Sequence, residues 1–295
     1  MLVKHHLRRI TKGGGVPDRD PKSEKYYVSS CQSRINKTTP STEGWIEVVK
    51  AFKKVAKRDI DLQKSQILLS NMLDQNIVVK IGNDDTIKKE YDMGKLLQRV
   101  KGFVKFICYF ECEDDFYEYF TRETGHMCRG VGDTMRIILM PYFPLGDIAH
   151  HPWTVDNVPL LKSCLQIACL SLCDAYEKKG FVHGDFHPGN VMMKATKQAS
   201  VVFDNISIKT NGVRPWIMDF ENSKVDPTRS DMSRSHFFFD LRKMFMLLTT
   251  FVRELDITGV NAITKDIMLM EEMSGMVNKE RLCVAIDTGI AFGSA

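Results

Sequence analysis

Short apolar runs separated by turn residues dominate the first half of the chain, and longer stretches with helical spacing dominate the second. Gln66-Ile-Leu-Leu-Ser70 and Ile77-Val-Val-Lys-Ile81 flank a turn at Asp74-Gln-Asn76, which predicts a β-hairpin. Ile87, Leu96, Leu97 and Val100 then mark a helix from Thr86 to Val100. Phe103 to Phe110 and Thr134 to Met140 are predicted strands, separated by a polar stretch that runs through Cys128. From Asn157 to Lys179, apolar residues at 160, 161, 164, 167, 168, 172 and 175 predict a largely buried helix that stops at Gly180. Val191-Met-Met193 suggests a short strand, and Val201-Val-Phe203 with Ile206 to Ile208 around Asp204-Asn205 reads as an inserted hairpin. Asn222 to Ser235 is polar, His236 to Leu255 is a predicted helix, and the remainder is helical in parts.

The first 43 residues differ from all of this, combining Gly13 to Gly15, Pro17, Pro21 and Pro40 with scattered charge and no periodicity. They read as a loose arm. Trp45 to Lys57, with Ile46, Val49, Phe52 and Val55 on one face, reads as a helix following it.

Composition narrows the picture only slightly. With 295 residues, 43% hydrophobic and 26% charged, the chain has ordinary globular composition, enough for one two-lobed domain or two small ones. No apolar run is expected to reach the roughly 18 residues of a membrane span, so none is predicted. Eight cysteines without paired CxxC spacing indicate thiols in a reducing compartment, and Cys108, Cys112, His126 and Cys128 fit no usual zinc spacing. The net charge of +4 owes much to Lys4, Arg8, Arg9 and Lys12. That basic arm would serve as a weak contact for an anionic partner or simply as a solvated tail.

The chemistry is concentrated in Phe181-Val-His-Gly-Asp-Phe-His-Pro-Gly-Asn190 and, downstream, Trp216-Ile-Met-Asp-Phe-Glu221. Phosphoryl transfer from ATP requires an oriented acceptor hydroxyl and a metal held against phosphate oxygens. Asp185 has the chemistry to take or orient the acceptor proton, while the oxygens of Asn190 and Asp219 suit a hard, hydrated Mg²⁺.

At these residues the chain resembles the protein-kinase-like superfamily. The spelling His183-Gly-Asp-x-His-x-x-Asn190 with Asp219-Phe-Glu is similar to aminoglycoside and choline phosphotransferases, UbiB-type atypical kinases and divergent kinases of large DNA viruses. The resemblance implies an α+β, two-lobed fold, with a small antiparallel-sheet N-lobe carrying one main helix (residues 44–140) and a mostly helical C-lobe (141–295); the hairpin at about 195–214 departs from compact family members. It implies ATP and Mg²⁺ as cofactors, with Lys80 on the α- and β-phosphates, Glu90 positioning it, Asp185 as catalytic base or acceptor orienter, and Asn190 and Asp219 as metal ligands. Met140 would back the adenine pocket, Pro141 to Phe143 would form the hinge, and Asp147 would meet the ribose. Because Pro141 has no amide hydrogen, Phe143 becomes the candidate adenine donor. His187 stands where typical protein kinases carry a phosphate-facing lysine, so it would either serve phosphate when protonated or brace the loop. Asp240, set among Phe and Leu neighbours, would brace the catalytic loop through backbone amides.

No Gly-rich phosphate loop precedes Lys80, and no Ala-Pro-Glu follows Asp219. The expected acceptor is a protein Ser/Thr hydroxyl, with a small-molecule alcohol as the alternative and a pseudokinase scaffold or virion component as a second. A cytoplasmic location, in a host cell or virion if the chain is viral, goes with these expectations.

Overall fold

The computed structural model describes residues 66–72, 75–82, 85–112, 135–253 and 255–292. The expected arm, the helix near Trp45, and His126 and Cys128 lie outside them. The fold is α+β, built from small antiparallel sheets and several helices. Two compact units emerge: one takes the chain up to Lys95 together with Lys105–Tyr142, the other takes Leu96–Val104 and everything from Phe143 onward.

In the first unit, β1 (Gln66–Met72) and β2 (Gln75–Gly82) form a hairpin, followed by α1 (Asp85–Leu96), β3 (Cys108–Cys112) and β4 (Met135–Pro141). The sheet order is β1-β2-β4-β3, antiparallel throughout, which makes β2 an interior strand with Lys80 opposite Ile67 on one side and Ile138 on the other. Asp85 opens α1 and Lys95 closes it, each complementing the helix dipole. Arg136 of β4 reaches Asp85 at 2.8 Å and ties the helix start to the sheet. Ile87 is fully buried, and Tyr91 stacks on Tyr109 of β3 with ring centroids 4.9 Å apart.

Two sequence expectations need correction here. The helix predicted to reach Val100 stops at Leu96, although Leu97 and Val100 remain buried, so the apolar spacing outlasts the helix. The strand predicted from Phe103 begins only at Cys108. Phe103 instead makes a parallel bridge to Ile217, and the Val104 amide donates to the Ile217 carbonyl at 2.9 Å. Gly102 allows this docking: its φ is +79°, and a Cβ there would lie 1.9 Å from Ser171 Oγ.

The second unit is organised around α2 (Val158–Lys179), which ends at Gly180 in the left-handed conformation. Contrary to the expectation of no such run, residues 155–179 are long and apolar enough to cross a membrane, but 72% of the decisive window is buried inside the protein. Apolar Cys164, Cys169 and Cys173 account for part of that character, and all three are buried free thiols. Burial pushes the Cys164 thiol up to about 12, so it is inert packing material.

From α2 the chain passes through β5 (Phe181–Val182), a 3₁₀ turn at Pro188–Asn190, and β6 (Val191–Ala195), which pairs with β9 (Val213–Ile217). Between those partners sits a hairpin of β7 (Ser200–Phe203) and β8 (Ile206–Lys209). Its inward residues Val201, Phe203 and Ile208 pack on Ile167 and Leu170 of α2. Burial of such side chains contributes about 1.5–3 kcal/mol each, so the insertion is anchored by its own apolar face.

After β10 (Lys224–Val225), α3 (Asp231–Phe251) begins five residues before the predicted start at His236, because the Ser230 hydroxyl caps it by accepting the Ser233 amide. Helices α4 (Ile257–Ser274) and α5 (Lys279–Gly289) complete the unit, capped by Asp256 and Asn278.

Candidate active site

Each unit contributes a separate group of the residues singled out from the sequence. In the first, Lys80 projects from β2 and Glu90 from α1, with Lys80 Nζ 2.6 Å from Glu90 Oε2. They are 6% and 1% exposed. A buried ion pair gains little net stability after desolvation, so its presence argues for positioning a charge rather than for holding the fold. Met140 and Pro141 lie on β4 opposite Val78 and Ile77, one strand over from Lys80, and Met140 is buried.

The remaining residues fall in the second unit. Phe143 is buried, with its ring 6.5 Å from that of Trp216. Asp147 lies along β6, bridged to Met192, and its carboxylate accepts the His150 amide at 2.9 Å and faces His150 Nδ1 at 2.8 Å. Expected to meet a ribose, Asp147 is here the acceptor that closes its own turn.

The loop from His183 to Asn190 follows β5 and is held from behind. Asp240, on α3 and 1% exposed, accepts the amides of His183 and Gly184 at 2.9 Å each and of Phe186 at 3.3 Å. Burial pushes the Asp240 carboxyl up, against the three amides that favour its anion. Gly184 needs its φ of +79°, and a Cβ there would sit 2.5 Å from the Asn222 carbonyl. The loop's path therefore depends on a glycine and a buried carboxylate together.

His183 is fully buried and bridges two segments. Its Nδ1 accepts the Asp185 amide at 3.3 Å, so its other nitrogen carries the proton and donates to the Met218 carbonyl at 3.0 Å. Burial lowers its pKa despite the nearby carboxylates, keeping the ring neutral. The unfolded chain therefore binds a proton that the folded loop refuses. We expect stability to be level above the ordinary histidine pKa of about 6.5 and to fall as pH drops below it, with His183→Gln flattening that slope; urea midpoints between pH 7 and 5 measure it.

Asp185 is presented beyond this support. Its Oδ1 accepts from Lys243 of α3, and Oδ2 lies 3.6 Å from His187 Nε2. Partial burial pushes the Asp185 carboxyl up, but the Lys243 hydrogen bond and charge, helped by His187 and His183, outweigh it and hold the group below its ordinary value. His187 also caps the 3₁₀ turn, its Nδ1 accepting the Gly189 amide at 3.1 Å. Of its two expected roles, bracing the loop is the one these contacts perform.

Asn190 donates its side-chain amide to the Asp185 carbonyl at 2.9 Å, which fixes the opposite face of the amide as a carbonyl oxygen. The β6–β9 ladder pairs Val191 with Ile217 and continues with the Met218 amide on the Asn190 carbonyl at 3.0 Å. Asn190 and Asp219 thus lie at the same end of one two-stranded ladder. Asp219 has a φ of +65°, in the left-handed region that aspartate enters more readily than most non-glycine residues. Neutral and anionic oxygens of this kind fit Mg²⁺, which prefers hard donors and retains water and phosphate.

A different acidic group, Asp174, Glu177 and Asp204, is also close enough to share an ion. Lys279 already occupies it, with Nζ 3.0, 2.7 and 2.7 Å from the three carboxylates, pinning the hairpin and α5 to α2. Sequence reasoning missed Lys243. Its signal was its spacing three residues beyond Asp240, which puts both on one face of a helix. The chain matches no protein-family model and no curated protein sequence.

Proposed function

We propose that the protein is an ATP- and Mg²⁺-dependent phosphotransferase with a two-lobed, protein-kinase-like fold, acting on a protein Ser/Thr hydroxyl. The observation that carries the reading is the buried Lys80–Glu90 pair at 2.6 Å, which joins a strand lysine to a helix glutamate, the kind of pair that positions a lysine for nucleotide phosphates. Support comes from the separately braced loop that presents Asp185 beside Asn190, with Asp219 at the same ladder end.

In this reading Lys80 serves the nucleotide's α- and β-phosphates and Glu90 holds Lys80 in place. Asp185 orients the acceptor hydroxyl and receives its proton. Asn190 and Asp219 would hold Mg²⁺, which neutralises phosphate charge when bound. Met140, Pro141 and Phe143 would serve adenine; Asp147 would serve ribose only by sharing the carboxylate that now holds His150.

The test is transfer of labelled γ-phosphate from ATP with Mg²⁺ to casein, a basic protein and an aminoglycoside–choline mixture, by wild type and Asp219→Ala. Label on protein that disappears in the variant is the expected result. Label on the small molecules would replace the acceptor class with the alternative suggested by the His-Gly-Asp-x-His spelling. No transfer, together with no ATP-induced rise in melting temperature, would overturn catalysis in favour of a scaffold.

A further inference from the structure

On the phosphotransferase reading, on which this inference rests, we infer that Lys243 of α3 is the cation that contacts the γ-phosphoryl group during transfer, a duty the catalytic loop leaves unfilled by carrying His187. Three observations converge on Lys243. Its ammonium is bound to Asp185 Oδ1, the carboxylate that would orient the acceptor. Its side chain is only 26% exposed, so a long, flexible chain is held in place across a separation of 58 residues. Finally, its helix neighbours are committed elsewhere: Asp240 to the loop amides and Arg242 to Glu271 of α4.

The Lys243 and Asp185 side chains are 26% and 29% exposed, and pairs open to solvent to that extent add little to stability, so stability alone does not account for the placement. The geometry does suit transfer. An acceptor hydroxyl hydrogen-bonded to Asp185 Oδ2, the oxygen 3.6 Å from His187, would sit one carboxylate width from the Lys243 ammonium. Two of the three ammonium hydrogens remain to donate to the non-bridging oxygens of the phosphoryl group. In the step, the acceptor oxygen forms a bond to phosphorus as the bond to the ADP oxygen breaks. ADP leaves with that electron pair, the hydroxyl proton passes to Asp185, and Lys243 keeps its own protons throughout. Stabilising charge where it develops is the kind of contribution a fixed, partly desolvated donor makes.

The test compares wild type with Lys243→Met and Lys243→Arg, and adds His187→Lys in the Lys243→Met background. Lys243→Met should lower kcat by about 10²–10³-fold, the effect of losing one transition-state donor, with KM for ATP changed by less than about threefold. Lys243→Arg should stay within about tenfold of wild type, and His187→Lys should recover at least about tenfold by presenting an ammonium to the same carboxylate. Binding supplies a second readout: Lys243→Met should weaken Mg-ADP with aluminium fluoride, a mimic of the transferring group, while leaving Mg-ADP alone unchanged. If wild type transfers phosphate and Lys243→Met matches it within about twofold, the inference fails and the phosphotransferase reading stands. A fall in kcat with no selective loss of aluminium fluoride binding makes Lys243 merely structural, and also overturns it. A wild type that transfers nothing removes both.

Discussion

Asp240→Ala will unfold the second unit under conditions where wild type is stable, with a loss of about 3–9 kcal/mol from three orphaned buried donors at about 1–3 kcal/mol each. Asp240 is 1% exposed and its carboxylate holds three amides of the loop, those of His183, Gly184 and Phe186. Alanine removes both acceptor oxygens from a site that is 1% exposed. Asp240→Asn separates this explanation from mere loss of volume. Its carbonyl oxygen can retain the His183 and Gly184 amides, which share Oδ2, but its NH₂ then confronts the Phe186 amide, donor against donor. We expect the asparagine variant to lose about half as much as alanine, since one of the three bonds is replaced by a mismatch. Two of the three tryptophans, Trp153 and Trp216, lie in the second unit, so fluorescence-monitored urea unfolding measures the effect where it arises. Equal stability of wild type and Asp240→Ala would show that the loop does not depend on this carboxylate.

The same residue illustrates what could be read in advance. Asp240 was named from the resemblance, and its setting among Phe and Leu neighbours supported a structural role because a buried carboxylate must be hydrogen-bonded. The β1–β2 hairpin and α2 were equally legible, since turn residues bracket the first and a glycine ends the second. Lys80 and Glu90 were named as partners from a resemblance, yet their contact depends on how α1 lies against β2, which periodicity does not specify. Where tertiary contacts override local pattern, the reading slipped. Phe103 to Phe110 is apolar throughout, but its first residues dock on Ile217 instead of extending β3. Leu97 and Val100 are buried without being helical, so burial mimicked helix continuation. α3 begins at a serine cap inside a stretch read as polar loop, a signal present in the chain but outweighed by its lack of apolar residues. Lys243 was passed over for another reason: its spacing from Asp240 shows a shared helix face, but a lysine on an amphipathic helix looks like a solvated one until the helix is placed beside Asp185.

Asp185→Asn should give the opposite signature to Asp240→Ala, with phosphate transfer reduced by about 10²–10⁴-fold and the fold intact. Asp185 supports no backbone with its carboxylate. Its side chain is 29% exposed, and its partners are the Lys243 ammonium and, at 3.6 Å, the His187 imidazole. A partly exposed pair of this kind stabilises by no more than about 1 kcal/mol, so the melting temperature should barely move. Asparagine keeps the size of the side chain and one oxygen toward Lys243, but it cannot accept the acceptor's proton. Lys243 then loses its anionic partner without being buried, which limits the structural penalty further. Nucleotide affinity should persist as well, because Lys80 and Glu90, the pair proposed to serve the phosphates, belong to the other unit. Parallel measurement of kcat, ATP-induced melting shift and urea midpoint distinguishes the outcomes. Transfer retained within about tenfold would deny Asp185 its role as base or orienter and move the search for the proton acceptor to another group. Loss of transfer together with a midpoint drop as large as that of Asp240→Ala would mean that Asp185 holds the loop together, against the contacts that leave its carboxylate no backbone partner.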